Sequence, residues 1–515
     1  MASHASPASY ARDESARQVF AVLGIPPEEL AYTMAAYSRS KRSFLESNSY
    51  ITGQKAAQFL ETFYFAYGHR SIADMAHVPI AVENVSILAA IEIVAEALWD
   101  GQERSTRYQD FSVTGYIVPS EIKGTELEGL YVETADALFK AYEHVSQAVF
   151  AHYRATVSKP EGMDDKAFER TLRARAFDVG RYLLPMATGT SVGQITSART
   201  LERQISRLLS SSYGEVRRIG EAMRKAGRAP ARNPRAERAL SLLSELEPAC
   251  EAELIAQLKE VLAPAAAAPT LVKYTAPDGY RLKTLDRMRQ VYEGLLGRVP
   301  VGVTENVSLV QVDDPAVEAL SKLLYAVGYH PFSQIVLHVQ TLTRLEIREL
   351  LELAFENRGS HDEWLAEFRT GYLNFDVVVD IGAYRDLQRH RRCQKLRQEW
   401  TTRLGYEEPE MVRTAGVAGV YRAAMAQAFT AAERINQALP PLGAYLLPLG
   451  TRCRALFSMD LAELAYIAEL RTRPTGHFSY RRIAYDMYRK AMERYPDFAP
   501  YVRAVDPAYE DLTER

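Results

Sequence analysis

One short segment occurs twice in this chain, and that repetition constrains the fold more than any other feature. Tyr182-Leu-Leu-Pro185 recurs as Tyr445-Leu-Leu-Pro448, and Arg217-Arg-Ile219 followed by Met223 recurs as Arg481-Arg-Ile483 followed by Met487. The gap is 32 residues from Pro185 to Arg217 and 33 from Pro448 to Arg481. Two matches in the same order at nearly equal spacing point to a duplicated domain. A chain of 515 residues also exceeds the roughly 250–300 residues that one hydrophobic core serves. The expected organisation is copy one over 1–240, a linker region over 241–300 and copy two over 301–515. The proline-bracketed run Pro264-Ala-Ala-Ala-Ala-Pro269 reads as the connector. The Arg/Ala/Pro-rich stretch 227–235 reads as a solvated loop, followed by a helical pattern from Ala236 to Leu262 broken at Pro248.

Helical periodicity dominates both halves. Ile87, Ile91, Val94, Ala95 and Leu98 share one face, with Glu92 and Glu96 on another. Leu320, Leu323, Leu324 and Val327 repeat the pattern. The charged stretch Asp380 to Gln398 also reads as helix. Strand candidates are Val307 to Val312 and Asn374 to Val379. The expected class is α+β, helix-rich, with each tandem domain a β-sheet packed with long helices.

Composition excludes several function classes. A net charge of -3 gives no global attraction for nucleic acid. The three cysteines, Cys250, Cys393 and Cys453, show no zinc spacing and are a poor disulfide framework, which suits a reducing cytoplasm. The most apolar stretch, Ile80 to Trp99, carries Glu83, Glu92 and Glu96, so no membrane span is expected. His330, His338, His361 and His477 lack metal-ligand spacing, and no metal is expected. Gly189-Thr-Ser-Val-Gly193 matches a nucleophile elbow, but its lead-in ends in proline with no β-branched run and reads as a loop.

Three constellations can carry chemistry. The first is Gly68-His-Arg-Ser71, then the apolar helix, then Glu103-Arg-Ser-Thr-Arg-Tyr108, with Gly101 as a candidate helix C-cap. A hydroxyl, a guanidinium and successive backbone N–H groups in one turn form a phosphate cradle. A polar loop with a Glu103–Arg107 ion pair is the alternative. The second is Arg389-His-Arg-Arg392, in a run whose only acids are Asp386 and Glu399. Its guanidiniums suit phosphates or an anionic flavin ring, or face solvent. The third is Arg181, Arg199, Arg203 and Arg207 in copy one, with Arg452, Arg454, Arg471 and Arg473 in copy two. Each can anchor a nucleotide or pair with a nearby acid.

Together these pieces resemble the flavin-dependent thymidylate synthase (ThyX) family. Its signature is Arg-His-Arg, a spacer, a serine, then Asn-Glu-x-Ser-x-Arg. It carries a Gly-His pair upstream, and a Leu-Pro segment and an arginine-bearing helix downstream. The resemblance spans about Ala35 to Met223 and again about Val307 to Met492. Copy one matches the upstream pair with Gly68-His-Arg-Ser71 and the signature's end at Glu103, Ser105, Arg107 and Tyr108, but has Ala95-Glu-Ala97 for Arg-His-Arg and Asp100 for the first serine. Copy two keeps Arg389-His390-Arg391, but has Gln394 for the serine and degenerates to Leu396-Arg-Gln-Glu-Trp400. Its echo of the upstream pair is Gly359-Ser-His361.

The resemblance implies that Arg389, His390 and Arg391, with His69 and Ser71, contact FAD. It implies that Glu103, Arg104, Ser105, Thr106, Arg107 and Arg181 contact dUMP. Arg207 and Arg471 resemble the family arginine proposed to stabilise ionised uracil, and are the expected catalytic residues. The implied reaction is reductive methylation of dUMP to dTMP. Reduced flavin delivers a hydride and methylenetetrahydrofolate supplies the methyl carbon, with NADPH as a further co-substrate and no protein nucleophile. Because each copy lacks what the other keeps, the implied sites are composite. The chain is then a fused pseudo-dimer, and a homodimer is the expected pseudo-tetramer. A divergent flavoenzyme acting on another nucleotide, and a non-catalytic nucleotide-binding or assembly protein, are the alternatives.

Overall fold

The computed structural model describes residues 24–37, 71–107, 109–246, 251–358, 365–368, 370, 372–494, 496, 499, 502–511 and 513. Contacts divide the chain into two compact units, residues 1–77 with 227–271, and residues 78–226 with 272–515. In the first unit the helices Pro27–Tyr37 and Ser71–Met75 pack together. The buried Glu28 carboxylate accepts the backbone N–H groups of Thr270 (2.9 Å) and Leu271 (3.1 Å) there. The helices Pro234–Leu246 and Ala252–Val261 complete its described part, and residues 247–250, which include Pro248 and Cys250, lie outside it.

The second unit holds the main parts of both copies. Copy one runs β1 (His77–Ser86), α1 (Ile87–Val94), β2 (Gly101–Glu103), α2 (Glu128–Thr156), α3 (Asp165–Gly180), β3 (Gly189–Ser197), α4 (Ala198–Leu209) and α5 (Gly214–Arg228). Four helices follow: α6 (Gly279–Leu296), α7 (Pro315–Val327), α8 (Phe332–Gln340) and α9 (Arg344–Phe355). Copy two has β4 (Val307–Val310), β5 (Leu373–Asp380), α10 (Ile381–Leu387), β6 (Gln394–Arg397), α11 (Ala418–Ala438), β7 (Arg452–Met459), α12 (Leu461–Arg471) and α13 (Phe478–Arg494). Sheet order is β1-β3-β2 in one copy and β4-β5-β7-β6 in the other. This is the helix-rich α+β class, in tandem.

Local chemistry repeats with the topology. Each copy has a strand ending in a polar residue that caps the next helix. Ser86 Oγ accepts from Ala89 N at 3.0 Å, and Asp380 Oδ1 accepts from Ala383 N at 2.7 Å. The cap partners are exchanged between copies. Ser86 donates its hydroxyl to Glu215 at 2.7 Å, whereas Asp380 accepts from the Ser479 hydroxyl. The Leu-Leu-Pro segments meet each other across a local pseudo-twofold. Met186 N donates to Leu447 O (3.0 Å) while Leu449 N donates to Leu184 O (2.9 Å), and Ala187 N donates to Tyr445 O (2.8 Å) while Gly450 N donates to Tyr182 O (2.9 Å). Such reciprocity is the mark of an isologous contact, here within one chain. Gly450 is needed at that crossing, because a Cβ there would lie 2.8 Å from Tyr421 Oη and 3.2 Å from Tyr182 O.

Sheet register gives residue equivalences. Glu103 pairs with Val192, and Arg397 with Ala455. Ile87 N donates to Thr188 O and Ile381 N to Thr451 O. Ile87 therefore corresponds to Ile381, and Glu103 to Arg397.

Several expected elements differ. Asp380 to Gln398 is not one helix: α10 ends at Leu387, a turn follows, and 394–397 form β6. Backbone groups of β7 offer this segment a ladder partner, which outweighs its helical propensity. The copy-one helix ends at Val94, capped by Ala95, and Leu98 is exposed. Gly101 is no C-cap but lies in β2, where a Cβ would meet the Trp99 ring and Gly193 O. Gly189–Ser197 is a strand rather than a loop, and Ser191 lies within it, away from any elbow. Within 241–300, α6 buries Tyr280, Met288, Tyr292 and Leu296 in a core with Leu320, Leu323, Leu324 and Phe332. Each such side chain contributes roughly 1.5–3 kcal/mol, so this stretch is structural. Among the described residues no helix is long and apolar enough to cross a membrane, and no group of His, Cys, Asp and Glu is placed to hold a metal. Cys393 and Cys453 are buried and free.

Candidate functional site

The cap at Asp380 launches α10, and its early end sends the chain back into β6. Gln388 N closes the last turn on Tyr384 O at 2.8 Å, and Lys395 Nζ holds the following turn by bonding Gln388 O (2.9 Å) and His390 O. Arg385, Asp386, Arg389 and His390 are thereby gathered at one end of copy two. Copy one arrives from two directions. The end of β2 inserts Glu103, whose fully buried carboxylate pairs with Arg385 and with Arg389 Nη2 at 3.3 Å. The C-terminal end of α3 brings Asp178 and Arg181. Arg181, 1% exposed, places Nη2 at 3.2 Å from Asp386 Oδ2 and Nη1 at 3.5 Å from Thr106 Oγ1.

Asp386 is the focus of the cluster. Burial would raise its carboxyl, but the charges of four arginines, Arg181, Arg389, Arg107 and Arg471, hold it well below the usual carboxylate range. Two of those guanidiniums come from each copy. Arg107 is the most heavily engaged. Its Nε and Nη2 grip Asp178 at 2.8 and 3.1 Å, Nη1 donates to Tyr480 Oη at 3.0 Å, and Nη2 also reaches Thr475 O at 3.2 Å. Burial alone would lower its pKa, yet the Asp178 carboxylate raises it above the ordinary arginine value. The guanidinium carbons of Arg107 and Arg471 lie 5.7 and 5.5 Å from the centroid of the Tyr480 ring.

His390 links the cluster to α12. Arg471 Nε donates to His390 Nε2 at 2.8 Å, and Nδ1 lies 3.5 Å from Glu463. An arginine Nε–H can only donate, so Nε2 is unprotonated and the imidazole proton sits on Nδ1. His477 is fixed likewise: Ser479 N donates to Nδ1 at 3.2 Å, and Nε2–H donates to Asp178 O at 3.0 Å.

Burial lowers the pKa of both rings, with the Arg471 charge adding for His390 and Arg181 for His477. The unfolded chain therefore binds protons near pH 6.5 that the folded chain refuses. Stability is expected to fall as pH drops through that value, by up to about 1.4 kcal/mol per pH unit for each ring. Asp386 acts in the same sense but in a lower window: its folded-state pKa is also depressed, so its stabilisation is complete above about pH 4 and is lost only as pH falls below it. A melting-temperature series from pH 8 to pH 5 tests this. A flat profile would refute it, and His390→Gln should shallow the slope.

The other candidate residues lie as follows. His69, Tyr108 and Gly359-Ser-His361 are outside the described residues, and Ser71 starts a short helix with its side chain undescribed. Arg104 turns away, donating to Gln109 at 2.7 Å over the Phe111 ring. Ser105 Oγ accepts from Arg107 N at 3.2 Å and shapes the loop. Arg391 pairs with Asp100. The Glu103–Arg107 ion pair is replaced by Glu103 with Arg385. Arg203 pairs with Glu96, Arg452 with Glu407, and Arg454 with Asp376 at 2.9 Å. Arg207 lies elsewhere, 3.9 Å from Glu92 and 3.6 Å from Glu96. Counted from the caps Ser197 and Asp460, Arg471 falls at the register of Leu208 and not of Arg207. Sequence reading gave no role to Asp178, Arg385, Asp386, Glu463 and Tyr480. Asp386 stood out there as one of two acids in the basic run, and Asp178 lies one helical turn before Arg181.

With this geometry in place, likeness to known proteins is informative. The family model for "Thymidylate synthase complementing protein" matches residues 24–231 and 329–497, in both copies. The chain belongs to this family. A UPF0159 protein of Chlamydia muridarum is 27% identical over 473 residues, covering 89% of this chain and 83% of that one. A UPF0159 protein of Thermoplasma acidophilum is 23% identical over 516 residues, covering 92% and 94%. Two solved structures of Helicobacter pylori ThyX with FAD and dUMP also align, each at 14% identity. They cover 39% and 46% of this chain and 88% and 95% of theirs, with TM-scores of 0.23 and 0.22.

The donor set can be tested against an anionic flavin or nucleotide. Arg181 Nε, Arg385 Nε, Arg389 Nε and both amide atoms of Gln388 are buried without a hydrogen-bond partner among the described residues. Unmet donors on three guanidiniums are costly unless an anion or polar ring completes them, so these residues fit such a group.

Proposed function

We propose that this chain performs flavin-dependent reductive methylation of a pyrimidine nucleotide, dUMP to dTMP, at a site built from both copies. The observation that carries the reading is Asp386 held among Arg107 and Arg181 of copy one and Arg389 and Arg471 of copy two. A carboxylate drawing on four guanidiniums marks where a ligand's negative charge would be stabilised. Arg389, His390 and Arg391 would hold FAD. Glu103 to Arg107 and Arg181 would hold the nucleotide. When bound, FAD would supply the hydride; NADPH and methylenetetrahydrofolate would be the co-substrates.

The residues' own task is orientation and charge stabilisation. Glu463 keeps the His390 proton on Nδ1, so Nε2 accepts from Arg471 and aims that guanidinium at the cluster. Arg471 is the residue proposed to stabilise negative charge on the pyrimidine. Copy one would span 1–240 and copy two 301–515, with two chains forming the pseudo-tetramer. One feature favours a second reading, a flavoenzyme acting on another nucleotide: Arg385 already neutralises the Glu103 that dUMP would be expected to meet.

The test is the visible spectrum of the FAD-reconstituted chain, reduced anaerobically and then mixed with dUMP and methylenetetrahydrofolate. Flavin bands that bleach and return only with both substrates are expected. Flavin indifferent to dUMP would favour the second reading, and a chain that takes up no flavin would overturn both.

A further inference from the structure

Duplication creates two places where the end of the α1- or α10-type helix of one copy faces the β2- or β6-type strand of the other. The first is the arginine cluster around Asp386. The second lies where the end of α1 meets β6, and the register equivalences state what it holds. Ala95 and Ala97 stand where the first place has Arg389 and Arg391, and Ile91 stands where it has Arg385. Ala444 takes the position of Arg181, and the buried Leu208 that of Arg471. The loop after β6 is shorter than its counterpart, and its arginine, Arg403, stacks over Tyr329 at 4.4 Å.

What fills the second place is an ionic string. Arg397 Nη2 lies 3.1 Å from Glu92 Oε1, and Arg207 stands between Glu92 (3.9 Å) and Glu96 (3.6 Å). Arg203 Nε closes the string on Glu96 at 3.0 Å. Arg397 also lies over the buried Trp400 ring at 3.7 Å. Charge at the strand position is inverted between the two places. Glu103 is met by Arg385 in the first, and Arg397 by Glu92 in the second. Glu92 and Glu96 hold Arg397 and Arg203 by hydrogen bonds and stand at ion-pair distance from Arg207, whose Nε and Nη2 make no hydrogen bond among the described residues, so an incoming phosphate would have to displace these carboxylates. What this place lacks is the full donor set of the first, since Ala95, Ala97, Ala444 and Leu208 stand where the first place has four arginines.

We infer that this second place is a structural plug, and that each chain takes up a single pyrimidine nucleotide, at the Asp386 cluster. The count rests on the nucleotide reading above; the plug does not. Equilibrium dialysis of labelled dUMP against the full, FAD-reconstituted chain should give one nucleotide per chain, and Glu92→Gln should leave that count unchanged. Arg397→Met and Glu92→Gln should each lower the melting temperature by a few degrees, because each strands a partner in the string. Two nucleotides per chain would overturn the plug, as would melting temperatures unchanged in both variants. No dUMP bound, with both variants destabilised, would overturn the nucleotide reading while leaving the plug standing.

Discussion

Arg107→Ala should destabilise the protein by about 3–5 kcal/mol, the scale for removing one partner of a buried ion pair. The Arg107 and Asp178 side chains are 9% and 4% exposed, so the stranded carboxylate cannot be rehydrated in place. The same change removes the bonds to Tyr480 and Thr475, which tie the copy-one loop to copy two. Thermal unfolding checks this, with Arg107→Met, Asp178→Leu as the control, since replacing both charges by apolar groups should recover much of the loss. If Arg107→Ala melts with the unchanged protein, the pair does not hold the copies together, and its guanidinium is free to serve a ligand instead.

Arg389→Ala combined with Arg391→Ala should yield a folded but colourless protein. Charged hydrogen bonds contribute roughly 1.5–3 kcal/mol each, so losing two should weaken flavin binding by about 10²–10⁴-fold. Stability should change little. Glu103 keeps Arg385 as a partner when Arg389 is removed, and Arg391 is half-exposed and pairs only with the exposed Asp100 among the described residues. The ratio of flavin to protein absorbance after reconstitution reads the outcome. Unchanged flavin content would remove copy two from the cofactor site.

The two proposals place different demands on the arginines. Arg107 spends its donors on protein partners, whereas Arg389 and Arg181 retain buried, unpartnered Nε groups. Of the guanidiniums matched to the family signature, those of copy two and Arg181 are therefore better placed for a ligand than Arg107.

Much of this was legible in the amino-acid order. Duplication, helix-rich class and complementary losses in the two copies were read from short segments, because a tandem repeat preserves apolar periodicity and the residues at its own dyad. Tyr182-Leu-Leu-Pro185 and Tyr445-Leu-Leu-Pro448 persist because they bond to each other. The stretch 380–398 was misread because helix and strand propensities differ by only a few tenths of a kcal/mol per residue. The free edge of β7, nearly sixty residues further on, decides the matter. Charge matching was equally illegible. Nothing near Glu103 in the chain announces Arg385, and nothing near Arg397 announces Glu92, because the pairs join residues 282 and 305 positions apart. Local order along the chain determined which elements form and that there are two sets of them. Only the tertiary structure decided which arginines face a common point and which are neutralised, because burial and long-range pairing set the energy of a charge.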